Sequence, residues 1–418
     1  MKKKFYCESC KHIAHEKGLS LENSILDIEQ GLPVFCDICG QEIYNLTENN
    51  SLKKELETTK SALNNKNLHV ICFTAPSIRA SIGEAFGLHE DCRGKMITAL
   101  KLLGFDNVFD MNIAADFTTV EEAHEFLYRL QTKTNLPMLT SCCPGWVNYV
   151  ERAYPQFKNN LSSCKSPQQM FGALINNIYA NHIGKKSTEL FIVSIVPCLI
   201  KKLERVKEDM NTSIGYDVDA CITTNELAEL IKENNIDFKN LKNSSFDSFF
   251  GESTGAGVIF GNTGGVMNAV LGSLGEKDCN KQINSLNTQL KTGKSGIKSG
   301  TIKINNQPVK IAIASGLNNA RDLLEELTEN PNKYDFVEVM ACPGGCVGGG
   351  GQIPILTLEN KSQIIQNRAS ILYNAAKRKK IKQSNDNPAL KQIYARHLDF
   401  VGSAKAHQLL HIKQKTLG

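Results

Sequence analysis

The stretch that most limits how this chain can fold is residues 340–352, MACPGGCVGGGGQ, where two cysteines and six glycines follow an apolar run. Proline and glycine at the turn allow Cys342 and Cys346 to come close together. The four glycines after Cys346 let the backbone approach a bulky group and leave N–H groups free to bond to it. Packing alone does not explain so many glycines beside two thiols at a strand end. The stretch therefore predicts a loop that holds a large ligand.

From Leu68 onward, apolar runs of strand length alternate with amphipathic helical segments, a pattern that predicts α/β layers. Cysteines follow three of these runs: Cys142 and Cys143, then Cys198, then Cys342. Loops at strand ends are where α/β folds place their sites, so we expect these thiols to meet. The predicted strands are residues 68–74, 136–139, 190–196, 309–314 and 336–340, with a hairpin turn at 305–306 and a surface loop over 280–300.

Composition limits the class of protein. The chain has 41% hydrophobic and 22% charged residues and a net charge of +5, with its basic residues scattered, so nothing indicates nucleic-acid binding. No run approaches the ~20 apolar residues of a membrane span. The N-terminal sequence MKKKFYCESC lacks the apolar segment of a secretory signal, and we expect a cytoplasmic protein. In a reducing compartment, clustered cysteines indicate metal binding or redox chemistry.

Two further loops contribute to the same pattern: TSCCPGW at residues 140–146 and PCLIKKLE at 197–204. Together, Cys143, Cys198, Cys342 and Cys346 would supply four thiolates, the number that an iron–sulfur cubane needs. A lone cysteine is more often a small core residue than a ligand, and that is the default interpretation for the remaining isolated ones, Cys72, Cys92, Cys164, Cys221 and Cys279.

With these three loops in this order, the sequence resembles the catalytic domain of FeFe (iron-only) hydrogenases. The resemblance runs from about Leu68 to the C-terminus and includes residues 74–79 (TAPSIR), 161–168 (LSSCKSPQ) and 255–266 (GAGVIFGNTGGV). It implies an α/β fold of two twisted sheets flanked by helices, with the cluster in the cleft between them. The implied reaction is the reversible reduction of two protons by two electrons to H2 at an H-cluster. That cofactor combines a 4Fe-4S cubane with a two-iron subcluster bearing CO, CN and dithiolate ligands.

The resemblance also implies a role for each matching residue. Cys143, Cys198, Cys342 and Cys346 would ligate the cubane, Cys346 would bridge it to the two-iron unit, and Cys142 would carry protons. Around the two-iron unit, the implied contacts are Lys201, Pro76 and Ser77 near the cyanides, with Gln168 and Met340 lining the pocket. A lysine inside such a pocket is costly unless it faces negative charge, and taken alone Lys201 would read as a surface helix lysine.

The implied proton relay runs from Cys142 through a water to Glu122, Ser162, Glu125, Arg129 and solvent. Thr118 three residues before Glu121 predicts a helix start, on which Glu122, Glu125 and Arg129 share one face. By itself that face would be an ordinary solvated one. A carboxylate in such a relay should have a raised pKa, so that it can both accept and release a proton.

Two positions depart from the family pattern: Val196 replaces the usual methionine before Pro-Cys, and Asn268 stands where glutamate is common. Neither change removes a ligand. The expected partners are protons and H2, a soluble electron carrier such as ferredoxin, and hydrogenase maturation proteins. Two alternatives remain: a sensory or weakly active hydrogenase, and the non-enzymatic cytosolic iron–sulfur assembly factor of the same fold. The assembly factor lacks the two-iron unit and would leave Cys142 and Lys201 without an obvious task.

The N-terminal residues 1–45 read as a separate Cys-rich module, with CxxC pairs at Cys7/Cys10 and Cys36/Cys39. Such a module is too short to fold around a core of its own without a metal. Four sulfurs favour structural zinc over a rubredoxin-like iron or an iron–sulfur cluster, and an empty module is the remaining option; His12 and His15 could serve as alternate ligands, but their default interpretation is as surface residues. We then expect a linking helix in residues 46–67, the H-cluster domain over 68–365 and a helical small-subunit-like segment over 366–418.

Overall fold

The computed structural model describes residues 50–212, 215–274, 297–304, 307–355 and 359–413, with side chains from residue 54 onward, and four short strands before them. The strands are β1 (Tyr6–Cys7), β2 (His12–Ile13), β3 (Val34–Phe35), β4 (Glu42–Ile43), β5 (His69–Thr74), β6 (Asn107–Asp110), β7 (Met138–Leu139), β8 (Leu190–Val196), β9 (Ala220–Thr223), β10 (Lys298–Ile304), β11 (Gln307–Ser315) and β12 (Phe336–Met340).

The α-helices in the described ranges are α1 (Asn50–Asn64), α2 (Ile78–Ser81), α3 (Arg93–Leu102), α4 (Asn112–Thr132), α5 (Pro144–Ala153), α6 (Pro167–Leu174), α7 (Ala180–His182), α8 (Ile200–Glu204), α9 (Thr224–Glu233), α10 (Gly255–Ile259), α11 (Gly265–Ser273), α12 (Leu317–Glu329), α13 (Lys361–Arg378), α14 (Pro388–Ile393) and α15 (Ala404–Leu410). None of the described helices is both long and apolar enough to cross a membrane.

One sheet is wholly parallel, in the order β6-β5-β8-β9. Its central strands, HVICFT and LFIVSIV, are apolar almost throughout, because helices cover both faces of a parallel sheet. Ile71, Phe73 and Val193 are fully buried in the resulting core. The strands all end at one edge, and the loop containing Cys198 leaves from that edge.

The second four-stranded sheet is mixed, in the order β10-β11-β12-β7, with β10 antiparallel to β11 and the other pairs parallel; β1-β2 and β3-β4 form two separate two-stranded sheets. Ile304 pairs with Gln307, so the two strands of the expected hairpin are paired as predicted, while the turn residues 305–306 lie outside the described part of the chain. The prediction of a surface loop over residues 280–300 is wrong at its C-terminal end, because Lys298–Gly300 pair with β11. Residues 275–296 lie outside the described part. Two sheets flanked by helices confirm the predicted fold class.

Helix α4 begins six residues before the start predicted at Thr118, so that prediction is wrong. The carboxylate of Asp110 accepts the backbone N–H of Asn112 (3.1 Å) at the true start. Thr118 is buried inside the helix, where its hydroxyl donates to the carbonyl of Ala114 (3.1 Å). A Thr-x-x-Glu pattern is only a local preference, and the apolar residues ahead of it gain more by continuing the helix into the core.

Helix α1, expected as a linker, lies against β9. Its buried Glu55 accepts hydrogen bonds from the backbone of Cys221 (2.6 Å) and from Arg205 (2.9 Å). Helix α13 runs through the expected boundary at residue 365/366, and the domain division stays a prediction. In the N-terminal module Cys7 lies on β1, which pairs with β2, whereas Cys10, Cys36 and Cys39 lie outside the described residues.

The isolated cysteines behave as the sequence predicts where they can be observed. Cys72, Cys92, Cys164 and Cys221 are all buried. Cys279 lies outside the described residues.

Candidate active site

The cysteine loops of the two sheets meet around one cavity of about 80 Å³. Cys143 follows β7 and caps the start of α5, Cys198 follows β8, and Cys342 and Cys346 follow β12. The carboxyl ends of parallel strands converge at a sheet edge, which is why loops so distant in sequence come together. The cavity is lined by every thiol of these loops and by several predicted pocket residues: Cys142, Cys143, Cys198, Cys342, Cys346, Pro76, Gln168, Val196, Lys201 and Met340.

The glycines after Cys346 allow two backbones to touch. The N–H of Gly351 donates to the carbonyl of Pro197 (2.8 Å), one residue before Cys198. A Cβ on Gly349 would stand 2.4 Å from that same carbonyl oxygen, and one on Gly345 would meet the backbone of Thr263 at 2.7 Å. A side chain at Gly349 would push the loop off the Cys198 loop, and one at Gly345 would push it off residues 261–263, so glycine is required at both positions for the thiols to share the cavity.

The adjacent residues Cys142 and Cys143 both line the cavity, but their surroundings differ. The sulfur of Cys143 accepts the backbone N–H of Ala341 (3.5 Å), the residue before Cys342. Burial raises the pKa of the Cys143 thiol and raises that of Cys346 to about 12. Burial also raises the pKa of Cys142 well above its ordinary value, and the negative charge of Glu122 adds to the effect. These thiols are therefore neutral unless positive metal charge stabilises their thiolates.

Lys201 is a cavity residue rather than a surface lysine. Its ammonium group donates to both carboxylate oxygens of Glu204 (2.9 and 2.8 Å) and to the carbonyl of Cys142 (3.2 Å). Burial lowers the pKa of Lys201, but the charge and hydrogen bonds of Glu204 outweigh burial, so the pKa is raised and the lysine keeps its proton. Ser166 and Gln168 also donate to Glu204 (2.7 and 3.3 Å), which fixes the pair in place.

Gln168 and Met340 line the cavity, whereas Ser77 is not one of its lining residues. The amide oxygen of Gln168 accepts from Ser194 (2.7 Å), and its nitrogen donates to the carbonyl of Lys201 (3.0 Å). Met340, the last residue of β12, is 2% exposed and faces the cavity. Ser77 is fully buried and its hydroxyl has no hydrogen-bond partner among the described residues. A buried hydroxyl of this kind is costly unless a bound group accepts from it.

The predicted relay residues are close together beside the cavity. Glu122 is fully buried, and neither carboxylate oxygen has a hydrogen-bond partner among the described residues. Burial raises its pKa to about 8, and the charge of Glu125 contributes. Glu125 accepts from the hydroxyl of Ser162 (2.9 Å) and from Arg129 (2.7 Å). Burial alone would raise the pKa of Glu125, but Arg129 and the hydrogen bonds outweigh it and lower the pKa.

Arg129, expected to open onto solvent, is itself nearly buried. Its side chain is 8% exposed and donates to the carbonyls of Asn135, Asn160 and Leu161 (3.1, 2.9 and 2.8 Å) as well as to Glu125. The guanidinium therefore anchors the loop before Ser162 in addition to pairing with the relay carboxylate.

Sequence reasoning missed three groups near the site. Gln352, the last residue of the glycine motif, accepts from Ser81 and Thr224 (2.5 and 2.7 Å) and donates to the carbonyl of Cys346 (3.2 Å). Arg368 on α13 is 2% exposed and donates a hydrogen bond to the carbonyl of Val347 in the same loop. Glu121 lies one residue before the relay and pairs with residues of the C-terminal segment. The glycine motif pointed to Gln352, whereas nothing in the local sequence signalled the other two.

Two conserved-domain matches agree with this geometry. Residues 68–350 match the family model described as the iron only hydrogenase large subunit, C-terminal domain. Residues 362–415 match the one described as the iron hydrogenase small subunit. The fold and the cavity thus define an iron-only hydrogenase type of protein, and the chain belongs to that family.

Individual relatives fall into two groups. Iron hydrogenase 1 of Clostridium pasteurianum is 42% identical over 87% of this chain, which spans 64% of that protein's length. The cytosolic Fe-S cluster assembly factor narfl of Xenopus tropicalis is 29% identical over 89% of this chain and 77% of its own. Among solved structures, the apo [FeFe]-hydrogenase HydA1 of Chlamydomonas reinhardtii superimposes with a TM-score of 0.73 at 32% identity, covering 86% of this chain and 98% of that one.

Proposed function

We propose that this chain is an FeFe hydrogenase that interconverts H2 with two protons and two electrons. The observation that carries the proposal is the position of Cys142: its thiol lines the same cavity as the four candidate ligands, and it lies close enough to the buried carboxylate of Glu122 to feel its charge. Four sulfurs suffice for a cubane. A fifth thiol in the same cavity is then available to carry protons.

The residues around the cavity fit the cofactor that this family implies. Cys143, Cys198, Cys342 and Cys346 would hold the 4Fe-4S part, with Cys346 extending to the two-iron part. The hydroxyl of Ser77, which has no hydrogen-bond partner in the described part of the chain, and the ammonium of Lys201 are donors that suit anionic cyanide. When bound, the iron centre would exchange electrons with the carrier and provide the site at which hydrogen is made or split. Everything else in the reaction falls to side chains that hold or move protons.

Those side chains form an ordered set of donors and acceptors. Glu122, with its pKa of about 8, holds a proton at neutral pH and can return one to Cys142. Glu125 has a lowered pKa and stays ionised, and its carboxylate accepts a hydrogen bond from Ser162. It can pass on a proton only after it has taken one up. A proton entering at Glu125 can pass through Ser162 to Glu122 and then to Cys142. Each transfer leaves one proton fewer on the donor and one more on the acceptor.

The electrons would come from a soluble carrier such as ferredoxin, and assembly of the two-iron unit would require hydrogenase maturation proteins. The N-terminal CxxC pairs, Cys7/Cys10 and Cys36/Cys39, would bind one zinc or iron. Cytoplasmic location remains a prediction, because the chain is also 41% identical to a periplasmic [Fe] hydrogenase large subunit of Nitratidesulfovibrio vulgaris.

Infrared spectroscopy separates this proposal from the assembly-factor alternative, which the similarity to narfl keeps open. After coexpression with maturation proteins, a hydrogenase shows carbonyl and cyanide stretching bands. A protein that binds iron and sulfide yet never shows those bands would be an assembly factor. A sensory hydrogenase would show the bands with little hydrogen evolution.

A further inference from the structure

Three side chains of different ligand types meet beside the predicted relay: the carboxylate of Glu125, the thiol of Cys164 and the imidazole of His411. Their candidate ligand atoms all lie within 4.8 Å of one another. The sulfur of Cys164 is 3.7 Å from Glu125 Oε2 and 3.9 Å from Nδ1 of His411. Cys164 and His411 are 1% and 4% exposed, so the cluster belongs to the packed interior and not to the solvated surface.

The spacing of the cluster is close to that of a tetrahedral zinc site. With zinc 2.0–2.3 Å from each ligand atom, neighbouring ligand atoms stand ~3.3–3.6 Å apart. The sulfur is therefore within about 0.4 Å of the required distance to both of its partners. The widest pair has to approach by no more than about 1.5 Å. A thiol and an imidazole select a soft cation such as Zn²⁺ over Ca²⁺ or Mg²⁺, which prefer oxygen ligands.

The backbone holds the cysteine and the histidine opposite each other. Cys164 and His411 form an isolated antiparallel bridge. Beside it, the N–H of Ile412 donates to the carbonyl of Ser163 (2.8 Å). The C-terminal segment thus brings an imidazole to a thiol far away in sequence, and little conformational entropy is lost when a cation gathers the two side chains.

The histidine also has the outer partner that a metal-bound imidazole requires. Nε2 of His411 lies 3.1 Å from Glu121 Oε2. A metal-bound histidine usually donates its other ring N–H to a carboxylate, which fixes the tautomer and directs the lone pair at the metal. In that tautomer Nδ1 accepts from the hydroxyl of Ser163, 2.8 Å away, and a cation would take the place of the hydroxyl proton.

The charges around the thiol favour a cation. Burial raises the pKa of Cys164 well above its ordinary value, and the charges of Glu125, Glu122 and Glu121 add to the effect. The negative field that opposes a thiolate stabilises a divalent cation, and the cation in turn allows the sulfur to lose its proton. Arg129 pairs with Oε1 of Glu125 (2.7 Å), which leaves Oε2 as the oxygen that faces the thiol.

Solvent reaches the cluster from one side. The side chain of Glu125 is 13% exposed, and Ser163, which bonds to Nδ1 of His411, is half-buried. A hydrated cation can therefore meet the carboxylate first and then the two buried ligands. A water would remain as the fourth ligand, as in zinc sites with three protein ligands.

We propose that Glu125, Cys164 and His411 form a binding site for Zn²⁺, and that zinc bound there blocks proton transfer to Cys142. On binding, the S–H bond of Cys164 breaks, its proton goes to solvent, and the sulfur keeps the electron pair that binds the cation. Oε2 of Glu125 accepts from the hydroxyl of Ser162 (2.9 Å), and zinc on that oxygen would displace the hydroxyl and interrupt the relay. The blocking effect rests on the proposed hydrogenase function, whereas zinc binding does not.

Infrared spectroscopy and metal analysis test the binding without hydrogenase activity. In the full chain, the S–H stretching band of Cys164, identified by its loss in Cys164→Ser, should disappear as zinc is added. After dialysis against zinc, the wild type should hold one more zinc per chain than Cys164→Ser or His411→Gln, since any zinc in the N-terminal module is common to all three. A band that persists in saturating zinc, or equal zinc contents in the three proteins, would overturn the proposal.

The neighbouring histidine provides a matched control. His407 is exposed, and its ring stacks on His411 with centroids 4.0 Å apart, but it is not one of the three ligands. His407→Gln should therefore take up as much zinc as the wild type. A loss of zinc in His407→Gln equal to the loss in His411→Gln would show binding by surface histidines and would overturn the buried site.

Zinc titration of hydrogen evolution tests the consequence. In the matured full chain, zinc should inhibit the wild type and His407→Gln alike. The half-inhibitory concentration should rise at least about tenfold in Cys164→Ser and His411→Gln, each compared with its own rate without zinc. Equal inhibition of all four proteins would overturn the block at Glu125. Loss of the S–H band without inhibition would confirm the zinc site and refute the relay through Glu125, and zinc uptake by a protein that makes no hydrogen would refute the proposed function alone.

Discussion

Replacing Arg368 by alanine should strongly destabilise the protein, because this one side chain joins three parts of the structure. It forms two hydrogen bonds with the carboxylate of Glu84 and donates to the carbonyls of Val347 and Ile353 (3.1 and 2.8 Å). The last two flank the glycine loop that carries Cys346. Arg368 therefore fastens that loop to the C-terminal helix α13.

The magnitude follows from burial. The side chains of Arg368 and Glu84 are 2% and 14% exposed, so their ion pair is screened little by water. Removing one partner leaves a buried charge and two carbonyls without donors, a loss of about 3–5 kcal/mol in the free energy of unfolding. Arg378 on the same helix offers a matched control: it pairs with Asp91 but is 64% exposed, and Arg378→Ala should cost at most about 1 kcal/mol.

Urea unfolding, followed by circular dichroism, measures both losses, and hydrogen exchange shows where the structure opens. We expect Arg368→Ala to speed exchange in residues 346–353 well before the parallel sheet opens. The reasoning fails if the two variants lose equal stability, or if exchange in the loop is unchanged.

Three further predictions concern the site and the N-terminal module. Glu122→Gln should be about as stable as wild type near pH 5 and more stable by up to about 5 kcal/mol near pH 8. The reason is that Glu122 keeps its proton in the folded protein up to a pKa of about 8, while the unfolded chain releases it near 4.5, so the stability of the wild type falls across that window. A stability difference between variant and wild type that does not change with pH would contradict this. Gly349→Ala should lose most of the cubane iron in metal analysis, since its Cβ would stand 2.4 Å from Pro197, whereas Gly350→Ala, with open space around it, should keep the iron; equal iron contents would refute the close approach. Cys36→Ser should lose one zinc or iron per chain, and an unchanged metal content would mean that the module is empty.

Much of the fold could be predicted because it depends on local patterns. The bounds of β8 and β12 match the apolar runs at 190–196 and 336–340, since a strand buried on both faces is apolar along its whole length. Short strands such as β6 and β9, with four residues each, were missed because four residues show no clear period.

The candidate site, like the fold, could be predicted from the sequence only in part. The cavity thiols and Lys201 could be predicted because they lie in recognisable sequence motifs. Contacts between residues far apart in the chain could not, because no local sequence pattern indicates them. His411 is 247 residues from Cys164, and Arg368 is 284 from Glu84. Such pairs are set by how the C-terminal segment packs on α4 and on the glycine loop, which only the assembled structure reveals.

Hydrogen evolution by the matured Cys142→Ala variant, compared with Cys92→Ala, tests the central claim most directly. Both substitutions remove a buried thiol, but only Cys142 faces the cavity. The account predicts that Cys142→Ala loses turnover while keeping the electron paramagnetic resonance signal of its reduced cubane, and that Cys92→Ala keeps both. Undiminished hydrogen evolution by Cys142→Ala would contradict the account.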